Sequence, residues 1–523
     1  MWCVSRLRTA RTGFFRSDPP PPNKSGIPVS ENPYYFIDPQ DPLFSTANEY
    51  RYTDDPTMRA PVLERSNVGM GMLLTNSGYM DTRFVNLMYR KVRDLEVNTL
   101  KRFTAVTSSD AQLPLDGINP RELLMVSEAI KLGHADSAIP FWTSILRNHA
   151  DLAIVCADYY KPLIVLTNAK NSGIGFASLG NTSAAFSGSR MQFDFLRSGM
   201  IPSSGLSFTL AQTPWHIGEF LALTSRTVTG TNILYSGLAK RWISPEAFPF
   251  MEVTSEHKLE VSEKDANSLI SEHFLDPPKD WVLKPFVPII NDVFSAESVL
   301  EMVKRLKKIS ANATDPSVAS FAKECYERIH LASSPLALEL TNMLVKKSRT
   351  HIKNAINSIV EEQGQETAQF IQSRRRLKQE HITKPSIILS VADEVRANVN
   401  LCQIPSLPEN LFNSISGKSA NEWNDDELEH VGDVAAACVS KPIPDEFSFH
   451  ERSDFTLSAH PKLRKFHPDF DYKTGLDHDP VYMEKEVERW SDHYQESTRD
   501  RLRSAVTGIP LDELKNHQHL FSW

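Results

Sequence analysis

The run LIVLT at 163–167 narrows the possible folds more than any other stretch of this chain. It is short, β-branched and apolar throughout, so it suits a strand covered on both faces. Just upstream, 138–156 places Phe141, Trp142, Ile145, Leu146, Leu152 and Val155 at helical spacing. A buried strand fed by a helix of that length needs a crossover connection, and crossovers build parallel α/β sheets. The same alternation occurs earlier. Val68, Met70, Met72 and Leu74 read as a strand entering a turn at 76–78. Phe84, Leu87, Met88, Val92 and Leu95 then form one face of a helix that Asp81 can cap. The pattern predicts an α/β core without repeats of fixed period.

With 523 residues the chain is long enough for about three folding units of roughly 150 residues each. No run of 18 or more apolar residues occurs, which excludes a helix of the length needed to cross a bilayer. Lys and Arg number 57 against 65 Asp and Glu, a net charge of −8 that argues against nucleic-acid binding by the whole surface and leaves room for local basic patches. Cys3, Cys156, Cys325, Cys402 and Cys438 form no CxxC pair, so neither a disulfide framework nor a zinc ribbon is expected. The histidines form no HExxH motif, and His517 with His519 is too isolated to fix a metal ion.

The ends differ from the middle. Residues 1–17 carry Arg6, Arg8, Arg11 and Arg16 among Trp2, Leu7, Phe14 and Phe15, with no acid before Asp18. That is the composition of a mitochondrial transit peptide, the alternative being a disordered basic terminus. Residues 18–59 hold prolines at 19–22, 28, 33, 39, 42 and 56 and read as an extended arm. A core domain is expected over 60–345. Residues 346–523 read as an interaction extension: a basic, helical stretch to Lys378, an acidic segment around 422–429, and a tail rich in His, Asp, Pro and aromatics. Its expected anchors are Trp490, Tyr494, Phe521 and Trp523.

KPLIVLTNAKNSGIGFASLG at 161–180, GMIPSSG at 199–205 and GEFLALTSRTVTGTNILYSGLA at 218–239 follow one another in the order and spacing of a known family. They resemble the crotonase (enoyl-CoA hydratase/isomerase) superfamily. INDVFSAESVLEMVKRL at 290–306 and SSPLALELTNML at 333–344 are similar to segments of its 3-hydroxyisobutyryl-CoA hydrolases. The resemblance implies a crotonase-like ββα spiral core with a helical C-terminal portion, flanked by the arm and the extension.

It also implies which residues should catalyse. The family aims two backbone N–H groups at the thioester oxygen, where charge develops in the transition state. The first donor segment corresponds to RFTAVTSSD, with Ala105 and Val106 at the donor positions and the family glycine missing. The second corresponds to Gly173, Ile174 and Gly175, where the branched Ile174 replaces a glycine and narrows any acyl-CoA pocket. With the register pinned on Gly199, Pro202 and Gly205, the two family carboxylate positions hold Phe195 and Ser203. A phenyl ring cannot take a proton or orient water. Asp194 is expected in an extended segment and would point to the opposite face. Ser203 and Ser204 are expected as turn serines, since the motif supplies no adjacent base. His216 is expected at a helix start.

No cofactor, metal or catalytic residue is therefore expected. Degenerate relatives of these hydrolases are constituents of the mitochondrial ribosome's small subunit in some lineages, and the chain resembles such a protein. That resemblance implies a pseudoenzyme scaffold in the mitochondrial matrix, held by other small-subunit proteins and not by a membrane. Arg374, Arg375 and Arg376 form either a solvated face or a peripheral rRNA contact. The alternative is an active 3-hydroxyisobutyryl-CoA hydrolase of valine breakdown, or another crotonase-type enzyme.

Overall fold

The structure is a computed structural model. It describes residues 62–442, apart from 67–69, 76–79, 99–100, 109–116, 167–178, 245–270, 416–422 and single positions 81, 119, 132, 134, 160, 181 and 272. The arm, the transit-like segment, Gly173, Ile174, Gly175 and the four aromatic anchors of the tail lie outside the described residues.

Strands β1 (Val62–Ser66) and β2 (Met70–Thr75) form an antiparallel pair, followed by α1 (Thr82–Val97) and β3 (Phe103–Ser108). Helices α2 (Pro120–Lys131) and α3 (Ala135–Ala157) lead to β4 (Leu163–Leu166), then β5 (Thr182–Ala185) and β6 (Arg190–Met191). Next come α4 (Leu206–Ala211), α5 (Ile217–Thr224), β7 (Val228–Thr229), α6 (Thr231–Tyr235), β8 (Arg241–Ile243) and β9 (Phe274–Leu275). The sheet order is β1-β2-β3-β4-β5-β8-β9, parallel from β2 to β8, with β6 and β7 forming a separate pair. The α/β expectation holds, and the predicted strand at 163–167 and helix at 138–156 match β4 and α3 to within a few residues.

Period-two alternation divides the central strands between two cores. Leu73, Val106, Leu163 and Val165 face the helices together with Phe84, Met88, Trp142 and Leu146. Met70, Met72, Phe103, Ala105 and Ile164 form a second buried cluster on the other face. Burial on both sides is why β4 reads as an unbroken apolar run.

The remainder is helical: α7 (Val287–Phe294), α8 (Val299–Asn312), α9 (Pro316–Ile329), α10 (Pro335–Gln363), α11 (Gln365–Ser373), α12 (Arg375–Lys378), α13 (Lys384–Leu401), α14 (Leu407–Ile415) and α15 (Leu428–Ser440). Ser298, Asp315 and Ser334 cap α8, α9 and α10 by accepting hydrogen bonds from backbone N–H groups of the first turn, and Pro316 and Pro335 occupy first helical positions where no N–H is required.

The boundary expected at 345/346 is not a boundary in the structure. It falls inside α10, one continuous helix of 29 residues. Beyond it, α13 is buried against α3, α4 and α10, and α15 packs on α10 and α13. Helices α13, α14 and α15 thus contribute to the main core, whereas Ile359, Ala368, Ile371 and Ile382 form a small separate cluster. In α13, Ser386, Ser390, Glu394 and Asn398 are buried polar residues beside the buried Ile387, Val391 and Val395.

Candidate functional site

The two positions expected to hold family carboxylates are both inside the protein. Phe195 opens a 3-10 turn, Phe195–Ser198, that Gly199 ends at φ 71°, and its ring is 8% exposed. The segment is therefore not extended as expected; Asp194 sits at its N-terminal end with φ −103° and ψ 15°. Ser203 is 4% exposed.

The turn at 202–207 is closed from above by α13. Its polar residues Ser386, Ser390, Glu394 and Asn398 recur every fourth position and so share one helix face. The Glu394 carboxylate accepts hydrogen bonds from the Gly205 N–H at 2.8 Å, the Ser207 N–H at 2.7 Å and the Ser207 hydroxyl at 2.6 Å. Ser348 of α10 donates in turn to Ser207 Oγ at 2.9 Å. Asn398 Nδ2 donates to the Pro202 carbonyl at 3.0 Å. Gly205 has φ +76°, a left-handed conformation, and an added Cβ would lie 3.0 Å from Leu179 Cδ1 and 3.2 Å from Ala153 Cβ. Burial pushes the Glu394 carboxyl up to about 7, against the pull of its Ser207 and Gly205 donors.

Helix α13 is held in this place at its start. Gln379 Nε2 caps the end of α3 by donating to the Ala157 and Tyr159 carbonyls at 3.0 and 3.1 Å, and Lys384 pairs with Asp158 at 2.9 Å. The turn that joins α12 to α13 is a π-helix, Gln379–Thr383.

On the α3 side, His149 Nδ1 lies 2.7 Å from Ser204 Oγ. Sequence reasoning missed this partner because it stands 55 residues upstream. The available signal was a histidine on the apolar face of α3, between Leu146 and Ala153. The pair resembles a nucleophile and its base, and Ser204 is a non-glycine residue with φ 57°. Its environment argues against that chemistry. Burial pushes His149 down to about 3, with the Met80 carbonyl working in the opposite direction, so the imidazole is a weak base here. Among the described residues its Nε2 makes no hydrogen bond of good geometry, and no carboxylate orients the ring. The gap between Ser203, Ser204, His149, Val391, Glu394 and Asn398 is too small to admit a water molecule.

The first donor segment is absorbed into the sheet. Ala105 pairs with Met72 and Ile164, and Val106 with Leu73 and Val165, so their backbone groups lie in ladders on both sides. Strand β3 continues to Ser108.

Two further buried charge clusters brace the helical layer. Glu219 of α5 receives Arg349 at 2.8 Å and His216 at 3.0 Å. Burial works to raise its carboxyl, yet the His216 hydrogen bond and the Arg349 charge hold it below the usual range. His216 stands at the start of α5, as expected. Asp393, next to Glu394, pairs with Lys347, His351 and Arg396 at 3.1, 2.8 and 2.8 Å. Arg374 is exposed, its guanidinium 5.4 Å from the Phe370 ring centre. Among the described residues no cluster of three or more His, Cys, Asp or Glu could hold a metal, and no helix is long and apolar enough to cross a membrane.

Residues 126–373 match the enoyl-CoA hydratase/isomerase family. A carnitinyl-CoA dehydratase from Mycobacterium thermoresistibile superposes with a TM-score of 0.55 at 17% identity, covering 75% of this chain and 99% of that one, and so shares the fold. Small ribosomal subunit protein mS47 of Schizosaccharomyces pombe is 22% identical over 225 residues, 42% of this chain and 52% of that protein. The mitochondrial 3-hydroxyisobutyryl-CoA hydrolase of Danio rerio is 25% identical over 226 residues, 42% of this chain and 56% of that enzyme. The chain spans about half the length of these curated relatives. Over residues 126–373 the chain thus matches the enoyl-CoA hydratase/isomerase family model and shares the fold of the carnitinyl-CoA dehydratase, with both 3-hydroxyisobutyryl-CoA hydrolases and small ribosomal subunit protein mS47 among its relatives.

Proposed function

We propose that this protein is a non-catalytic, structural component of the small subunit of the mitochondrial ribosome, located in the matrix. The observation that carries the reading is the closed turn at 202–207. The position of one family carboxylate holds a buried phenyl ring, and that of the other a buried serine. The only carboxylate at the turn among the described residues, Glu394, is committed to three internal donors. A thioester would have to displace α13 to reach it. The mS47 relatives support the assembly role. Within this reading, the targeting segment at 1–17 brings the protein to mitochondria. The arm at 18–59 and the tail beyond the described helices contact other small-subunit proteins, and Arg374, Arg375 and Arg376 supply a peripheral rRNA contact.

The second reading, an active 3-hydroxyisobutyryl-CoA hydrolase, is favoured by the hydrolases of comparable identity. Measuring free CoA released from 3-hydroxyisobutyryl-CoA by the purified full chain separates the two. The structural reading expects none above the uncatalysed rate; turnover of about 1 s⁻¹ or faster would establish the enzyme.

A further inference from the structure

His330 ends α9 with both of its ring nitrogens engaged. Nδ1 lies 2.9 Å from the Tyr326 carbonyl oxygen, and Nε2 lies 2.9 Å from Asp425 Oδ1. Burial works to raise the Asp425 carboxyl, yet the hydrogen bonds from Lys307 and His330 hold it below the usual range, so this partner is an ionised carboxylate. A carbonyl oxygen and a carboxylate can only accept. A neutral imidazole carries one N–H and satisfies one of them; the imidazolium satisfies both.

The surroundings also suit a charged ring. The Tyr326 carbonyl belongs to the last turn of α9, where a cation complements the helix dipole. The Trp423 indole stacks on His330 at 4.4 Å between ring centres and 14° between planes, and the Tyr326 ring lies 4.3 Å away. Aromatic faces attract cations. Lys307 of α8 holds the other oxygen of Asp425, and Trp423 Nε1 donates to the Ala332 carbonyl at 2.8 Å. These contacts fasten residues 423–427 to the end of α9. The fastened segment runs directly into α15, which packs on α10 and α13.

The titratable groups that face His330 are Asp425 from the fastened segment, Lys307 from α8 and the Tyr326 phenol from α9 itself. Their charged neighbours are turned elsewhere: Arg328 to Glu324, Lys304 to Glu429, and Glu427 to the Asn424 N–H, while Asp426 and His430 are exposed. Loss of the ring proton therefore leaves a lone pair against an acceptor with no other donor brought in by the same groups. Histidine is the side chain that changes charge between about pH 5 and 8. We infer that His330 is the pin of a pH-sensitive clasp, which holds residues 423–427 on α9 while the ring is charged and loosens as rising pH removes the proton. The inference stands apart from the ribosomal reading, since it needs only the clasp.

The test is hydrogen exchange of the full chain, followed by mass spectrometry between about pH 5.5 and 8.5, with rates corrected for the intrinsic effect of pH on amide exchange. Opening of the 423–428 amides should rise by about fivefold or more across that range, the difference between a charge-assisted and a neutral hydrogen bond. His330→Gln, neutral throughout, should open at every pH as readily as the parent does at the alkaline end. Glu394 is present in both chains, so a change common to the two belongs to that carboxyl and not to the clasp. Asp425→Asn, whose amide can accept from a charged ring or donate to a neutral one, should flatten the profile and serves as the second variant if His330→Gln does not fold. A flat profile in the parent, or a rise that persists undiminished in either variant, would overturn the inference.

Discussion

Replacing Glu394 tests how far α13 belongs to the core. In Glu394→Ala, two buried N–H groups, of Gly205 and Ser207, and the Ser207 hydroxyl lose their acceptor. An unsatisfied buried donor costs about 1–3 kcal/mol, so two stranded N–H groups are expected to cost about 2–6 kcal/mol. Glu394→Gln keeps one acceptor and turns the other oxygen into a donor, a loss of about 1 kcal/mol. The pH dependence supplies an independent check. The native carboxyl is pushed up from 4.5 to about 7, so between those values the folded chain holds a proton that the unfolded chain has released. Stability therefore falls as pH rises through that window and levels off above it, by roughly 3 kcal/mol in all. Urea denaturation of the parent, Glu394→Ala and Glu394→Gln across the window reads both effects. The stability of the parent relative to Glu394→Gln should decline with rising pH. A Glu394→Ala chain as stable as the parent, or a relative stability that climbs with pH, refutes the reasoning.

Placing carboxylates at the two expected family positions with Phe195→Glu and Ser203→Asp should not produce thioester hydrolysis, because α13 still closes the turn; free CoA release from 3-hydroxyisobutyryl-CoA is the readout, and measurable turnover would contradict it. Gly205→Ala should lower stability by about 1–2 kcal/mol for the left-handed backbone alone, and more for its contacts with Leu179 and Ala153, as seen by thermal denaturation. Deleting 346–523 should yield insoluble chain, since it removes more than half of α10 and all of α13, whereas deleting 443–523 should leave a soluble protein with helical circular dichroism. Residues 1–17 should carry a fluorescent reporter into mitochondria, and Arg6, Arg8, Arg11 and Arg16 changed to Glu should leave it cytosolic.

Local patterns carried the sheet and its first helices. Leu163 to Val165 are apolar because both faces of β4 are covered, and Phe84, Met88, Val92 and Leu95 share one helix face because one side of α1 is covered. In such elements burial and periodicity coincide. They part company at α13, where Ser390, Glu394 and Asn398 are as buried as Val391 and Val395. The extension was expected to begin at 346 because the basic run Lys346, Lys347, Arg349 and Lys353 starts there, yet those residues continue one helix, and Lys347 and Arg349 are tied to the buried Asp393 and Glu219. The site was half legible. Motif register singled out Phe195 and Ser203, which are both buried, but Glu394 and His149 reach the turn beside Ser203 from 187 or more and 55 residues away, a distance that local spacing cannot bridge. The 3-10 turn at 195–198 was hidden for a different reason: a single turn has no periodicity to detect.

The central claim, that the protein serves an assembly and not a reaction, is tested most directly by gradient sedimentation of mitochondrial lysate. The account predicts that the protein travels with the small ribosomal subunit, and that Phe195→Ala leaves this unchanged. A protein that sediments slowly and alone, away from the subunit, would contradict it.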